Sequence, residues 1–83
     1  MKVQVRYFAS LREALGAQEE VALPAGSTLG ALREQLIRSS PRHAEALAHS
    51  RALRGAVNQV MGADATVVPE GAEVAFFPPV TGG

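Results

Sequence analysis

The sequence predicts an α+β domain in which a small sheet packs against one long helix. Three observations carry this reading. At 83 residues the chain has the length of a single domain. Two segments, "KVQVRYF" near the start and "EVAFF" near the end, alternate apolar and polar residues with the period of a half-buried strand. Between them, "STLGALREQLIRSSP" places Leu29, Leu32, Leu36 and Ile37 along one helical stripe.

Each element follows in order. In "KVQVRYF", Val3, Val5 and Tyr7 share one face while Gln4, Arg6 and Phe8 share the other. "SLREALG" reads as a short helix, with Ser10 and Glu13 at capping-box spacing and Gly16 as its stop. "EEVAL" is a second strand, ended by the turn "PAGS". The main helix is capped by Ser27 or Thr28 and stopped by Pro41. Gly30 lowers its propensity, which close packing against the sheet would justify. "SPRHAEALAHS" reads as an extra helix with Ser40 as cap and Pro41 in its first turn. "LRGAVNQV" reads as a strand, "ATVV" as a short edge strand and "PEGAE" as a turn. In the final strand Val74 and Phe76 share one face; Ala75 and Phe77 share the other. The architecture expected is about five strands on one long helix, with a domain over residues 1–77 and a tail over 78–83.

Composition narrows the function. Eight basic and eight acidic side chains cancel, and no basic run offers a surface for nucleic acid. No membrane-binding or secretory signature is present, so a cytoplasmic protein is expected. Cysteine is absent, which excludes disulfides, thiolate metal sites and a cysteine nucleophile. His43 and His49 are six apart without supporting ligands, and read as surface residues, not metal ligands. Glu19, Glu20, Glu70 and Glu73 read as solvated charges, and Arg33, Arg38, Arg51 and Arg54 as a solvated surface in preference to charged rim contacts with a partner. The serines lack a recognisable base. No GxxxxGK loop is present, so the chain is not expected to bind ATP itself. A chain this short also buries too little surface for both a core and a deep pocket. A carrier, binding module or subunit is the expectation.

Two features stand out. Phe8 and Phe77 fall on the face turned away from the helix. Such rings mark a partner surface or lie under a loop, and alternation leaves both open. The second feature is the ending, "FFPPVTGG". Pro78 and Pro79 donate no backbone hydrogen bonds and hold φ in the extended range, and Phe77 before Pro78 is extended too. Val80 and Thr81 favour extension, and Gly82 and Gly83 carry no side chain. Six extended residues reach about 20 Å. The tail therefore has a stiff root and a thin tip, with an unhindered carboxylate. Gly-Gly alone is more often the mark of a frayed terminus; the stiff root is the more specific feature. A working carboxylate would need activation, as an acyl-adenylate from ATP. A sulfur nucleophile could then displace AMP and leave a thiocarboxylate, with no cysteine required in this chain.

"EVAFFPPVTGG", "AVNQV" and "YFASLREALG" together resemble the small, sulfur-carrier subunits of molybdopterin synthases, a ubiquitin-like β-grasp family. The resemblance runs through nearly the whole chain. It implies a β-grasp fold and a sulfur carrier in molybdenum cofactor biosynthesis. It implies that Gly83 is adenylated by a ubiquitin-activating-type adenylyltransferase that uses ATP, and is then thiolated by a sulfur donor system. The charged tail would enter the large synthase subunit and donate sulfur to cyclic pyranopterin monophosphate. Two carriers would be consumed per molybdopterin, in a heterotetramer whose catalytic side chains belong to the large subunit. By position, the resemblance makes Gly83 the acyl group, Gly82, Thr81, Val80, Pro79 and Pro78 the inserted tail, and Phe8, Met61 and Phe77 an apolar docking patch. No metal and no cofactor is implied for this chain. The same features suit a β-grasp carrier for thiamine thiazole, cysteine or thiolated tRNA. They also suit a ubiquitin-like modifier that passes Gly83 to a lysine. Tyr7 stands where the family often has Phe, and residues 39–55 are not diagnostic.

Overall fold

The structure, a computed structural model, describes residues 1–79. The tail positions Val80, Thr81, Gly82 and Gly83 lie outside the described residues.

Among the described residues, five strands form one mixed sheet. They are β1 (Lys2–Tyr7), β2 (Gln18–Ala22), β3 (Arg54–Val57), β4 (Val60–Gly62) and β5 (Glu73–Phe77), in the order β2-β1-β5-β3-β4. β1 and β5 run parallel at the centre, and the other neighbours are antiparallel. Among the described residues, three helices accompany it: α1 (Ser10–Leu15), α2 (Leu29–Ser39) and α3 (Pro41–Ala46). A sheet in this order with one long helix across it is the β-grasp arrangement.

Alternation places the core. Val3, Val5 and Tyr7 of β1 meet Val74 and Phe76 of β5, and Leu29, Leu32 and Leu36 of α2 cover them. Gly55 lies in this layer for a steric reason. A Cβ there would stand 2.6 Å from Cδ2 of Leu29, which is itself buried. Gly55→Ala must therefore displace α2 or force Leu29 off its rotamer. We expect a loss of about 1–3 kcal/mol, read as a lower urea midpoint with an unchanged m-value.

α2 begins as expected, with the Thr28 hydroxyl accepting from Ala31 N at 3.1 Å. Its next free donors are met by the loop after β4. Leu29 N donates to Thr66 O at 2.8 Å and Gly30 N to Asp64 O at 2.9 Å. A Cβ on Gly30 would approach the Asp64 carbonyl to 3.2 Å. Close packing does explain this glycine, but the neighbour is the loop and not the sheet. α3 is capped by Ser40, whose hydroxyl accepts from His43 N, with Pro41 in the first turn.

Three local expectations are corrected. "LRGAVNQV" is a hairpin and not one strand: β3 ends at Val57, and Asn58 and Gln59 make a two-residue turn with φ of 49° and 70°. Positive φ at both central residues matches the right-handed twist of the strands. Asn58 is further held by its Oδ1 accepting from Glu73 N. "ATVV" forms no strand; it makes a single bridge, Thr28 to Val67, and the carbonyls of Asp64 and Thr66 accept from the first donors of α2. Ser10 does not cap α1 but is its first helical residue. The helix donors Leu11 N and Arg12 N bond the carbonyls of Phe8 and Ala9 instead. Ala9, at the cap position, takes φ 54° and ψ −130°, a region that suits glycine. Ala9→Gly is expected to raise stability by about 1 kcal/mol, seen as a higher urea midpoint; a lower midpoint would mean that the corner carries no strain.

Two polar groups read as solvated are structural. Glu19 Oε2 accepts from the Tyr7 hydroxyl at 2.8 Å and bonds His43 Nε2 at 2.7 Å, while His43 Nδ1 meets Ser40 Oγ at 2.6 Å. Burial, reinforced by Glu19, pushes the Tyr7 phenol far above its usual range, so it stays a donor. This chain of bonds ties α3 to β1 and β2. Arg33 is also no solvated cation. Its guanidinium donates to the carbonyls of Leu47, Ala48 and Arg51, which holds the segment leaving α3.

Candidate docking face and tail root

The face of the sheet opposite α2 follows from the strand registers. Cross-strand partners project to the same side. Arg6 pairs with Ala75, Ala75 with Ala56, and Ala56 with Met61. One row across the outer face is therefore Arg6, Ala75, Ala56 and Met61. The next row is Phe8 beside β5, then Phe77, then Arg54, which pairs with Phe77. Phe8 N donates to Phe76 O at 3.2 Å, so this residue still follows the strand.

The surface made in this way is apolar and stepped. Phe8 is 42 % exposed and Met61 56 % exposed, and Phe77 is half-buried. Ala56 is almost wholly covered yet stands apart from the core cluster. Two alanines thus form a low floor between larger side chains. Val60 on the edge strand and Val67 in the following loop are also exposed. Charge borders the patch. The Arg6 guanidinium lies 5.9 Å from the Phe8 ring centroid and 3.7 Å from Glu73 Oε1.

Phe8, Met61 and Phe77 therefore lie on one face. Phe8 and Phe77 were legible as outward residues from alternation. Met61 was placed only by resemblance, since the Asn58–Gln59 turn was not foreseen and the strand holding Met61 depends on it. Ala56 was missed for the same reason, and Arg54, weighed from sequence as a rim contact but read as solvated, is placed beside Phe77 only by the β3–β5 register. β5 carries Phe77 directly into Pro78 and Pro79, so the described part of the tail leaves the sheet from the middle of this face.

Other parts of the molecule offer less chemistry. A cleft of about 400 Å³ lies between α1 and α3, lined by Ser10, Leu11, Glu13, Arg42, Glu45 and Arg51 among others. Its charges are mixed, and it holds none of Phe8, Met61 or Phe77 in its lining. Among the described residues no group of three or more His, Cys, Asp or Glu could hold a metal ion. Among the same residues no helix is long and apolar enough to cross a membrane.

The ThiS family pattern matches residues 5–83 of the chain. The chain belongs to the ThiS family. Two family relatives are both called molybdopterin synthase sulfur carrier subunits. The one from Mycobacterium tuberculosis is 40% identical over 85 residues, covering 100% of this chain and 99% of the relative. The one from Escherichia coli is 40% identical over 81 residues, covering 98% and 99%. Among solved structures, a putative molybdopterin converting factor subunit 1 from Pyrococcus furiosus superposes with a TM-score of 0.80 at 29% identity, covering 96% of this chain and 99% of that one. A chain in a complex of subunits 1 and 2 of the molybdopterin-converting factor from Helicobacter pylori superposes with a TM-score of 0.68 at 24% identity, with 100% of both chains covered. The family match includes the tail and its two glycines.

Proposed function

We propose that the chain is the sulfur-carrier subunit of a molybdopterin synthase. The observation that carries this reading is 40% identity, over essentially the whole of both chains, to proteins of that name. The apolar face at the root of the tail is the geometry the role needs. A partner that grips Phe8, Met61 and Phe77 receives the tail in a fixed direction.

The chemistry begins at the Gly83 carboxylate. An adenylyltransferase of the ubiquitin-activating type docks on the Phe8–Met61–Phe77 face and supplies ATP. The carboxylate oxygen attacks the α-phosphate, pyrophosphate leaves, and an acyl-adenylate forms. A sulfur nucleophile at the level of sulfide, delivered by a donor system, adds to the carbonyl carbon. AMP departs and a thiocarboxylate remains. The same face then docks on the large synthase subunit, a pairing favoured by the two-subunit complex from Helicobacter pylori. Pro78, Pro79, Val80, Thr81 and Gly82 thread the tail toward the pterin, where sulfur passes to cyclic pyranopterin monophosphate. This chain supplies direction, reach and the acyl group; it binds no cofactor and no metal, and the catalytic side chains belong to its partners.

Intact-mass spectrometry after incubation with the activating partner, ATP and a sulfur donor tests the carrier step. Replacement of one terminal oxygen by sulfur is the expected result. An unchanged mass, with a partner active on a known carrier, contradicts it. Chains linked through Gly83 to lysine amines would identify a ubiquitin-like modifier instead.

A further inference from the structure

We propose that the surface within reach of the tail is kept free of amines and thiols, so that the activated Gly83 carbonyl cannot acylate its own chain, and that arginine replaces lysine there for this reason. The inference rests on the function proposed above. Of the eight basic residues only one, Lys2, is a lysine, and cysteine is absent. The cations beside the tail root are Arg6 and Arg54.

The chemical reason lies in the lone pair. An acyl-adenylate reacts with a neutral amine: nitrogen adds to the carbonyl carbon, AMP leaves, and the amine proton passes to solvent. The amide that results is stable, and the carrier is lost. A lysine of pKa about 10.4 keeps a small neutral fraction at pH 8. Tethered near the tail, such an amine would act at an effective concentration on the order of millimolar. A guanidinium stays protonated, with its nitrogen lone pairs delocalised. It provides the same charge without a nucleophile. A cysteine would be worse than lysine, since its thiolate is the stronger nucleophile.

Geometry isolates the remaining amines. Lys2 begins β1, six positions before Phe8, which is about 20 Å back along the sheet. The amino group of Met1 lies at the same far end, where it donates to Leu23 O at 2.8 Å. β1 and β5 are parallel, so the tail leaves Phe77 in the direction away from both. Pro78 and Pro79 continue that direction. The four residues beyond them reach about 13 Å, too little to turn and cover the distance back. Lys2 Nζ is also 3.5 Å from Glu20 Oε1. Arg54, by contrast, stands opposite Phe77, the residue from which the six tail residues start, and so lies within their length of Gly83.

The test separates this inference from the function beneath it. The full chain is prepared with a Gly83 thioester by intein cleavage, which needs no activating partner, and is held dilute at pH 8. The native chain should decay by hydrolysis alone. Arg54→Lys should give a species lacking one water relative to the hydrolysed chain, with peptide mapping showing an amide between the amine introduced at position 54 and Gly83. Arg38→Lys, placed on α2 across the sheet, should behave like the native chain. Hydrolysis without amide in Arg54→Lys, or an amide from Gly83 to Lys2 or Met1 in the native chain, would overturn the inference. The same proteins with the activating partner, ATP and a sulfur donor report on the carrier function separately. Failure to thiolate there would sink that function, whereas the thioester result alone decides whether the tail's surroundings are inert.

Discussion

Deletion of Gly83 is expected to abolish sulfur transfer while leaving the fold untouched. The core is built by Val3, Val5, Tyr7, Val74, Phe76 and the leucines of α2, all upstream of the tail. Among the described residues the last ladder residue is Phe77. Gly83 lies six positions beyond it, and the described core and sheet are complete without it. What is lost is register: the carboxylate then sits on Gly82, one residue or about 3.5 Å short of the reacting groups. Misplacement on the scale of 1 Å can already cost on the order of a hundredfold in rate, so activity should fall below detection. Gly82→Ala tests the same point in another way, by adding a Cβ to the thin tip that the proposed insertion into a partner requires. For both variants, an unaltered circular dichroism spectrum with no transferred sulfur is the expected pair of results. Retained transfer in the deletion would show that the end of the tail is not the working group.

Phe77→Ala is expected to weaken partner binding far more than folding. Phe77 is half-buried on the outer face, between Phe8 and Arg54, and takes no part in the core cluster. Its truncation leaves no internal cavity. In a complex the same ring would lie at the centre of the contact, at the point where the tail enters the partner. Central aromatic residues of this kind cost about 2 kcal/mol or more when truncated, which is about a thirtyfold loss in affinity. The urea midpoint should change by much less. Titration calorimetry against the large subunit gives the first quantity and a denaturation curve the second. Equal affinity for the variant and the native chain would remove the docking face from the mechanism. The activating partner is expected to show the same loss, because both partners must approach the tail from its root.

The parts of the fold that could be read from sequence were those with a strong period or an unambiguous cap. Val3, Val5 and Tyr7 against Gln4, Arg6 and Phe8 define a strand whichever neighbours it has, and the α2 leucines define a helix. Thr28, Ser40 and Pro41 act through local bonds, so their neighbours in sequence suffice to recognise them. The failures share a different cause. The Asn58–Gln59 turn lacks the glycine that usually marks two residues of positive φ, and is held by a bond from Glu73, distant in sequence. The "ATVV" segment has strand-like residues, but its approach loop is used to satisfy the donors of α2. Glu19 looks like a surface charge until Tyr7 and His43 are brought to it by the β1–β2 register and the docking of α3. In each case a long-range contact overrides a local preference.

The docking face divides in the same way. Phe8 and Phe77 follow from alternation within single strands. Met61, Ala56 and Arg54 join them only through pairing across β3, β4 and β5. Resemblance supplied Met61 where pattern could not. Alternation had already turned Arg6 and Ala75 outward; Ala56 between them and Arg54 beside Phe77 emerged only from the three-dimensional register.

The central claim is that this chain carries sulfur on Gly83 to a molybdopterin synthase, and a single-turnover discharge tests it most directly. The thiocarboxylated chain would be mixed with the large synthase subunit and cyclic pyranopterin monophosphate. Its intact mass and the pterin product would be followed together. Return of the chain to its original mass, with two carriers discharged for each molybdopterin formed, is the expected result. A chain that keeps its sulfur in the presence of active large subunit and precursor would contradict the claim and assign the carrier to a different acceptor.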